Sequence, residues 1–282
     1  MITNQIYPCL WFDGQAKSAA EFYCSAFGNS KITSESAIAI QFEIEGTKIM
    51  GLNGGPIFKI NPSISFFVTC EDENEITSLW DRLSVGGQAM MPLGKYPWSE
   101  KYGWVADQFG MTWQLMLGEL APGSQKIIPL FLFVGDQFGN AEQAIRHYLA
   151  IFQNSASQYM EMYAEGEVPG AAGMLKFGNF SLDGSQFAAM DGPGNHNFNF
   201  NEGVSLVVEC ETQEEIDHFW ESLIRDGGAE SRCGWLRDKY GVFWQIIPAS
   251  LGSLMSDPER GQRAMQQLLK MNKLDINILK NA

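Results

Sequence analysis

The chain repeats itself, and that limits what it can fold into more than any other feature. Val68–Gly87, VTCEDENEITSLWDRLSVGG, returns as Val208–Gly228, VECETQEEIDHFWESLIRDGG, with Cys70/Cys210, Glu75/Glu215, Ile76/Ile216, Trp80/Trp220 and Leu83/Leu223 in register. Gly103–Leu115, GWVADQFGMTWQL, returns as Gly234–Ile246, GWLRDKYGVFWQI. The beginnings agree too: Ile6, Pro8 and Phe12 match Ile127, Pro129 and Phe133, and Tyr23 and Phe27 match Tyr148 and Phe152. A unit of about 120 residues occurring twice in 282 demands two copies of one architecture, each the size of an ordinary domain. The joint falls at Leu117–Lys126, LGELAPGSQK, which carries Gly, Pro and Ser and no apolar period. The expected division is a first domain at 1–118, a linker at 119–126, a second domain at 127–250 and a helical tail at 251–282.

Within one copy, Ile6–Phe12 is an apolar run closed by Asp13-Gly14, which predicts a strand and turn. Ala16, Ala19, Ala20, Tyr23 and Phe27 then recur at helical spacing up to Gly28-Asn29. Ala37–Glu45 alternates apolar and polar before Gly46-Thr47 and a second run to Leu52, a β-hairpin. A second unit follows, with strand Ser63–Thr69, helix Glu71–Leu83, and strands around Gly103–Ala106 and Met111–Met116. Each copy thus reads as β-α-β-β-β taken twice, with helices on one side of a curved sheet and a cleft on the other.

Composition removes several functions. No stretch approaches the roughly 18 uninterrupted apolar residues of a membrane span. A formal charge of −14 without a continuous Lys/Arg patch argues against nucleic acid as a partner. The start, MITNQIYPCLWFDG, lacks a secretory pattern, so the expected location is the cytoplasm. Five cysteines without a C-x-x-C pair read as reduced thiols; Cys24, Cys70 and Cys210 read as buried and inert.

QIYPCLWFDGQAKSAAEFYCSAFGNS, MGLNGGP, PSISFFVTCEDENEI, MPLGKYPWSEKYGWVADQFGMTWQLM and CGWLRDKYGVFWQIIP resemble sequences of the PhnB-like, or 3-demethylubiquinone-9 3-methyltransferase-like, family of the vicinal-oxygen-chelate (glyoxalase/bleomycin-resistance) superfamily. The resemblance implies an α+β fold. Two tandem domains are built from paired βαβββ units, each pair forming a curved mixed sheet around a cleft, and a C-terminal helix follows with Asp257 as N-cap and Pro258 in its first turn. It also implies an intramolecular pseudo-dimer, with a homodimer left open.

In that superfamily a divalent metal is held by His, Gln or Glu from four strand positions. The matching positions here are Tyr7, Asn53 (or Gly51), Ser63 and Gln114 in the first copy, and Ile128, Asp191 (or Met190), Gly203 and Gln245 in the second. Neither set gathers imidazoles or carboxylates, so no metal and no other cofactor is expected, a divalent ion remaining the alternative. For the methyltransferase of the family label, a Gly-rich turn between strand and helix would normally cradle the methyl donor. The nearest match, Leu52–Pro56, leads to another strand.

Fifteen residues separate Gly87 from Gly103 but only five separate Gly228 from Gly234. The longer segment carries Tyr96, Trp98 and Tyr102 with Pro92, Gly94 and Pro97, so it reads either as a lid over the first cleft or as packing against the second domain. Alternation turns Trp104 and Gln114 toward the cleft and Trp113 toward the helices; Trp235 and Gln245 follow in the other copy. The buried amides of Gln114 and Gln245 need partners, either a ligand or neighbouring backbone. Asn53 and Asp191 end matching strands, as turn formers or as hydrogen-bonding groups on a cleft rim. His196 lies in a Gly/Asn-rich loop at the mouth of the second cleft and, with Asp191, is the candidate general acid or base, whereas His147 and His218 fall on helices.

The expected ligand-binding set is Tyr7, Asn53, Trp98, Trp104, Gln114, Asp191, His196, Trp235 and Gln245. The favoured function is metal-independent binding of a small, partly apolar molecule in aromatic-lined clefts. The alternatives are a glyoxalase- or dioxygenase-like lyase or oxidoreductase, or the methyltransferase, acting on a small metabolite. A third reading leaves the second copy as a structural partner.

Overall fold

The computed structural model describes residues 6–282. The first unit of the first copy is β1 (Ile6–Phe12), α1 (Ala16–Ala26), β2 (Ser30–Glu35), β3 (Ala39–Ile44) and β4 (Thr47–Asn53). Its second unit is β5 (Ile64–Cys70), α2 (Glu73–Leu83), β6 (Gln88–Tyr96), β7 (Ser99–Ala106) and β8 (Thr112–Leu117). The second copy repeats the order with β9 (Ile127–Phe133), α3 (Ala141–Ile151), β10 (Ala156–Met162), β11 (Leu175–Leu182) and β12 (Ser185–Asp191). It continues with β13 (Val204–Cys210), α4 (Gln213–Ile224), β14 (Ala229–Glu230), β15 (Trp235–Arg237) and β16 (Phe243–Pro248). The helix starts follow from side-chain chemistry: Asp72 accepts from the Asn74 and Glu75 amides, and Thr212 forms a reciprocal capping box with Glu215.

Within a copy, the two units meet helix side to helix side. Tyr23 of α1 lies 5.2 Å from Trp113 of β8, and Tyr148 of α3 lies 5.3 Å from Trp244 of β16. A buried carboxylate organises each junction. Asp107 accepts from Trp113 Nε1 at 2.8 Å; Asp238 accepts from Trp244 Nε1 at 2.9 Å, Tyr148 Oη at 2.7 Å and the amides of Tyr240 and Val242. Burial pushes the Asp238 carboxyl up from 3.8 to about 6, even against these four donors.

The sheets do not follow the sequence copies. One runs β14-β15-β16-β13-β1-β4-β3-β2, the other β10-β11-β12-β9-β5-β8-β7-β6. The seams are antiparallel, β1 on β13 with Tyr7 opposite Val207, and β5 on β9 with Phe67 opposite Ile128. Every sheet, and so every cleft, therefore takes one unit from each copy. The segments that change sheets, 54–63 and 192–203, clasp each other: Asn61 Nδ2 donates to Asn199 O and Asn201 Nδ2 to Lys59 O, both at 2.9 Å. Gly203 is required there, because a Cβ would stand 2.3 Å from Lys59 O.

Two expectations change. The residues beyond 250 form three short helices, α5 (Leu251–Ser256), α6 (Gly261–Leu268) and α7 (Ile276–Lys280), rather than one. Asp257 lies just after α5 and caps the turn that leads into α6, its carboxylate accepting from the Glu259 and Arg260 amides. Secondly, the long 88–102 segment is no loop: β6 and β7 pair across it as a hairpin. Among the described residues, no helix is long and apolar enough to cross a membrane.

Candidate functional site

Each sheet has a far face, turned away from α1–α4, and the two far faces differ. On the first sheet, Tyr7, Cys9, Met50, Val207 and Ile247 are covered by the tail, whose Leu274 and Leu279 are 0% and 1% exposed. Backbone bonds hold the plug: the Cys233 and Gly234 amides donate to Met271 O and Asn272 O at 2.8 Å. Gln213 of α4 clamps it further, donating to Leu274 O at 3.1 Å and accepting from the Ile276 amide at 2.9 Å. Beneath the plug, Gln245 donates to Ser205 Oγ at 2.9 Å, and burial pushes the Cys9 thiol up to about 12. Tyr7 donates to Glu209 at 2.6 Å with Lys48 Nζ 4.1 Å above its ring, and Trp235 meets Trp11 edge-on at 5.9 Å.

On the second sheet, no part of the tail covers the matching face. Its floor comes from both copies: Phe67, Tyr102, Trp104, Gln114 and Met116 from β5, β7 and β8, with Ile128, Leu130, Phe177, Ala188 and Met190 from β9, β11 and β12. Gln114 has its partners within the face, donating to Ser65 Oγ and accepting from Tyr102 Oη, each at 2.8 Å. Desolvation holds the Tyr102 phenol well above its usual range, so it stays a neutral donor. Phe67 meets Phe177 across the seam at 5.5 Å. At the rim, Tyr96 stacks on Trp98 at 5.1 Å and both pack edge-on against Tyr102 at 5.6 Å, leaving Trp98 55% exposed. The hairpin aromatics therefore wall this face.

Three buried polar atoms on or beside the floor have no hydrogen-bond partner: Trp104 Nε1, Thr112 Oγ1 and Asn179 Oδ1. Alternation places all three side chains on the far face, since Trp104 lies opposite Gln114 and Asn179 opposite Ala188, while Thr112 is two residues from Gln114 on β8.

The residues expected to share the first cleft separate. Tyr7 belongs to the plugged face and Ser63 and Gln114 to the open one, because β1 pairs with β13 and not with β5. Asn53 and Asp191 turn to the helix side, a correction to their rim placement. Asn53 Oδ1 accepts from the Ala16 amide at 3.0 Å at the start of α1, and Asp191 accepts from Gly139, Ala141 and Leu175 amides around the start of α3. Asp191 is thus committed to holding backbone, not positioned as a general acid or base. His196 sits in the crossing segment with Nε2 3.2 Å from Pro193 O and its ring against Phe198.

The superfamily's metal positions on the open face hold Ile128, Met190, Ser63 and Gln114, two of them apolar and one an amide whose oxygen already accepts from Tyr102. That donor set does not fit a divalent ion. Among the described residues, no three His, Cys, Asp or Glu are grouped so that they could hold a metal ion. Ser65, Phe67 and Phe177 escaped the sequence reading, which placed Tyr102 only among the aromatics of the long segment. For Ser65 the signal was available, since the repeat aligns it with Ser205 and alternation puts both beneath the glutamines. A cavity of about 440 Å³ lies elsewhere, at the seam of the sheets, lined by Tyr7, Lys48, Gln125 and Gln186 among others. It opens beside Ile6, where the described chain begins.

Residues 4–116 and 125–247 match the family described as 3-demethylubiquinone-9 3-methyltransferase. Among solved structures, a putative 3-demethylubiquinone-9 3-methyltransferase, PhnB protein, from Bacillus cereus is 36% identical over 40% of this chain and 98% of its own, with a TM-score of 0.39. Glyoxalase I from Zea mays aligns over 87% of this chain and 93% of its own with 10% identity and a TM-score of 0.52. A variant of the same maize enzyme gives 11% identity over the same shares and a TM-score of 0.54, a likeness of fold. The comparison with curated proteins found no match. The chain belongs to the family described as 3-demethylubiquinone-9 3-methyltransferase, which it matches twice in tandem.

Proposed function

We propose that the protein binds a small, partly apolar molecule on the far face of the second sheet, and that the equivalent face of the first sheet is closed by its own tail. One observation carries this reading: the same repeated surface is covered by Leu274 and Leu279 on one sheet, whereas on the other no tail residue packs on it and the partly buried Met116, Phe177 and Met190 and the 55% exposed Trp98 border a buried floor. Apolar side chains left partly exposed around such a floor are what a small-molecule site presents. The side chains of the floor are uncharged; charge stands at its edges, where Glu161 of β10 pairs with Lys176 of β11 at 2.9 Å and Lys95 of β6 pairs with Glu100 of β7 at 2.8 Å. General acid–base or metal chemistry has little to work with on such a floor, which favours binding over the lyase, oxidoreductase and methyltransferase readings.

Titration with the neutral dye Nile red tests this by fluorescence. The expected stoichiometry is one dye per chain. It is lost in Met190→Trp, which fills the open cleft, and kept in Tyr7→Phe on the plugged face. Two dyes per chain, or undiminished binding to the Met190→Trp protein, would overturn the assignment.

A further inference from the structure

The cavity of about 440 Å³ at the seam of the sheets differs in kind from the open face. Across β3 and β4, Gln41 lies opposite Met50 and Glu43 opposite Lys48, and Met50 packs against the tail plug. By alternation these polar side chains continue the far face of the first sheet beyond the part that the tail covers. The other wall comes from the second copy. There the Gln125 amide donates to Gln186 Oε1 at 2.8 Å and the Gln186 amide to Gln125 Oε1 at 2.6 Å. Across the seam, Ser185 Oγ donates to Ile6 O at 2.9 Å and Thr47 Oγ1 to Ile127 O at 2.8 Å.

The charges on this lining are already paired, Lys48 with Glu209 at 2.9 Å and Glu43 with Lys31 at 3.0 Å. A charged ligand would have to break one of these pairs to gain a countercharge. The aromatic side chains at the cavity, Phe187 and Tyr7, are buried, so little apolar surface is left for a hydrocarbon to cover. Hydrogen-bonding capacity is what remains. The Gln41 amide and Thr33 hydroxyl make no side-chain hydrogen bond among the described residues, and the Thr47 and Ser185 oxygens keep lone pairs after donating. Independently of the binding reading for the open face, we propose that the seam cavity is a second site, for an uncharged molecule rich in hydroxyl groups, such as a sugar or polyol. A hydroxyl both donates and accepts, which matches a lining of mixed donors and acceptors with compensated charge. The volume falls within the usual range of small-molecule pockets, about 300 to 1,000 Å³.

Four probes with six-membered rings separate the chemistries: glucose, glucuronate, glucosamine and cyclohexanol, titrated into the full chain by ligand-observed NMR. Glucose binds the wild type more tightly than each of the other three. In Gln41→Leu, which removes the amide from a partly exposed strand position, glucose binds about three- to tenfold more weakly, the worth of one neutral hydrogen bond. Thr33→Trp, at an exposed residue of the edge strand β2, fills the mouth and abolishes glucose binding, and an unchanged melting temperature shows that this variant is folded. Met190→Trp, which fills the open face, leaves glucose binding as it was, so failure here and failure of the Nile red stoichiometry are separate results. No binding of glucose to the wild type, tighter binding of any of the other three probes, or glucose binding undiminished in both Gln41→Leu and Thr33→Trp would overturn the proposal.

Discussion

The plug over the first far face rests on a few buried groups, and Leu274 is the most enclosed of them. Its side chain is 0% exposed, packed beside Gly234, while its own carbonyl accepts from Gln213 at 3.1 Å. Leu274→Ala removes the buried isobutyl group without touching those backbone bonds. Leu→Ala changes at fully buried sites cost about 2.7 to 5 kcal/mol, and a partly relaxing segment between two short helices belongs near the lower end, about 3 kcal/mol. If the tail undocks as its own cooperative segment, that loss raises the undocked population by about a hundredfold. Hydrogen exchange reads it directly: the Ile276 amide, which donates to Gln213 Oε1 at 2.9 Å in the docked state, should exchange about a hundredfold faster in Leu274→Ala. Amides in the central strand β9 should slow or quicken by no comparable factor. Equal acceleration of Ile276 and β9 would mean that the tail unfolds only with the whole molecule, and no acceleration at all would mean that Leu274 does not hold the plug. Either result refutes the description of the tail as a separable cover.

Two further outcomes follow from the core. Burial raises the Asp238 carboxyl from 3.8 to about 6, so the folded state holds this proton more tightly than the unfolded chain does. The resulting stability is fully present below about pH 4 and is lost as pH rises to about 6, about 3 kcal/mol across that window; urea melts of wild type against Asp238→Asn should show the difference fall by that amount, and a flat difference would contradict it. Gly203→Ala drives a methyl against the Lys59 carbonyl, 2.3 Å away, and should cost about 1 to 3 kcal/mol in thermal melts, whereas Gly94→Ala, with nothing within 4 Å, should stay within about 0.5 kcal/mol. Equal effects of the two would show that the crossing segments are not tightly clasped.

How much of this was legible depended on range. Alternation within β7 and β8 sufficed to set Trp104 and Gln114 on one face and Trp113 on the other, because a period of two needs only local sequence. Asn53 and Asp191 had been read from their place at the ends of matching strands, as turn formers or rim groups, and the same period explains why they are not on the rim. Leu52 and Met190 take the cleft side, so the residue after each falls on the helix side, where its short polar side chain meets the free amides at a helix start. Partner choice was not legible. Nothing local in Ile6–Phe12 distinguishes β13 from β5 as a neighbour, since both partners carry the repeated apolar pattern VSLVVEC or ISFFVTC. That choice is made by the crossing segments and by which side chains close the seam. Of the four residues expected to share one cleft, Tyr7 was therefore parted from Ser63 and Gln114, and Asn53 turned away from both clefts.

The exchange of units explains why the two copies are free to differ. A single copy would leave β1 and β5 without their antiparallel neighbours, exposing unpaired edges; joining two copies closes both seams within one chain and makes each cleft a joint product. Identical clefts are then no longer enforced by symmetry. The hairpin β14–β15 is short, and the amides of Cys233 and Gly234 at its turn are taken by Met271 and Asn272 of the tail. In the other sheet the corresponding hairpin is ten residues longer, fifteen against five between matching glycines, and its own strands pair across that stretch. The tail's docking edge is therefore specific to the short hairpin. Length difference and tail are two parts of one asymmetry: the short hairpin accepts the chain's own leucines, and the long one raises Tyr96 and Trp98 beside a face on which no tail residue packs.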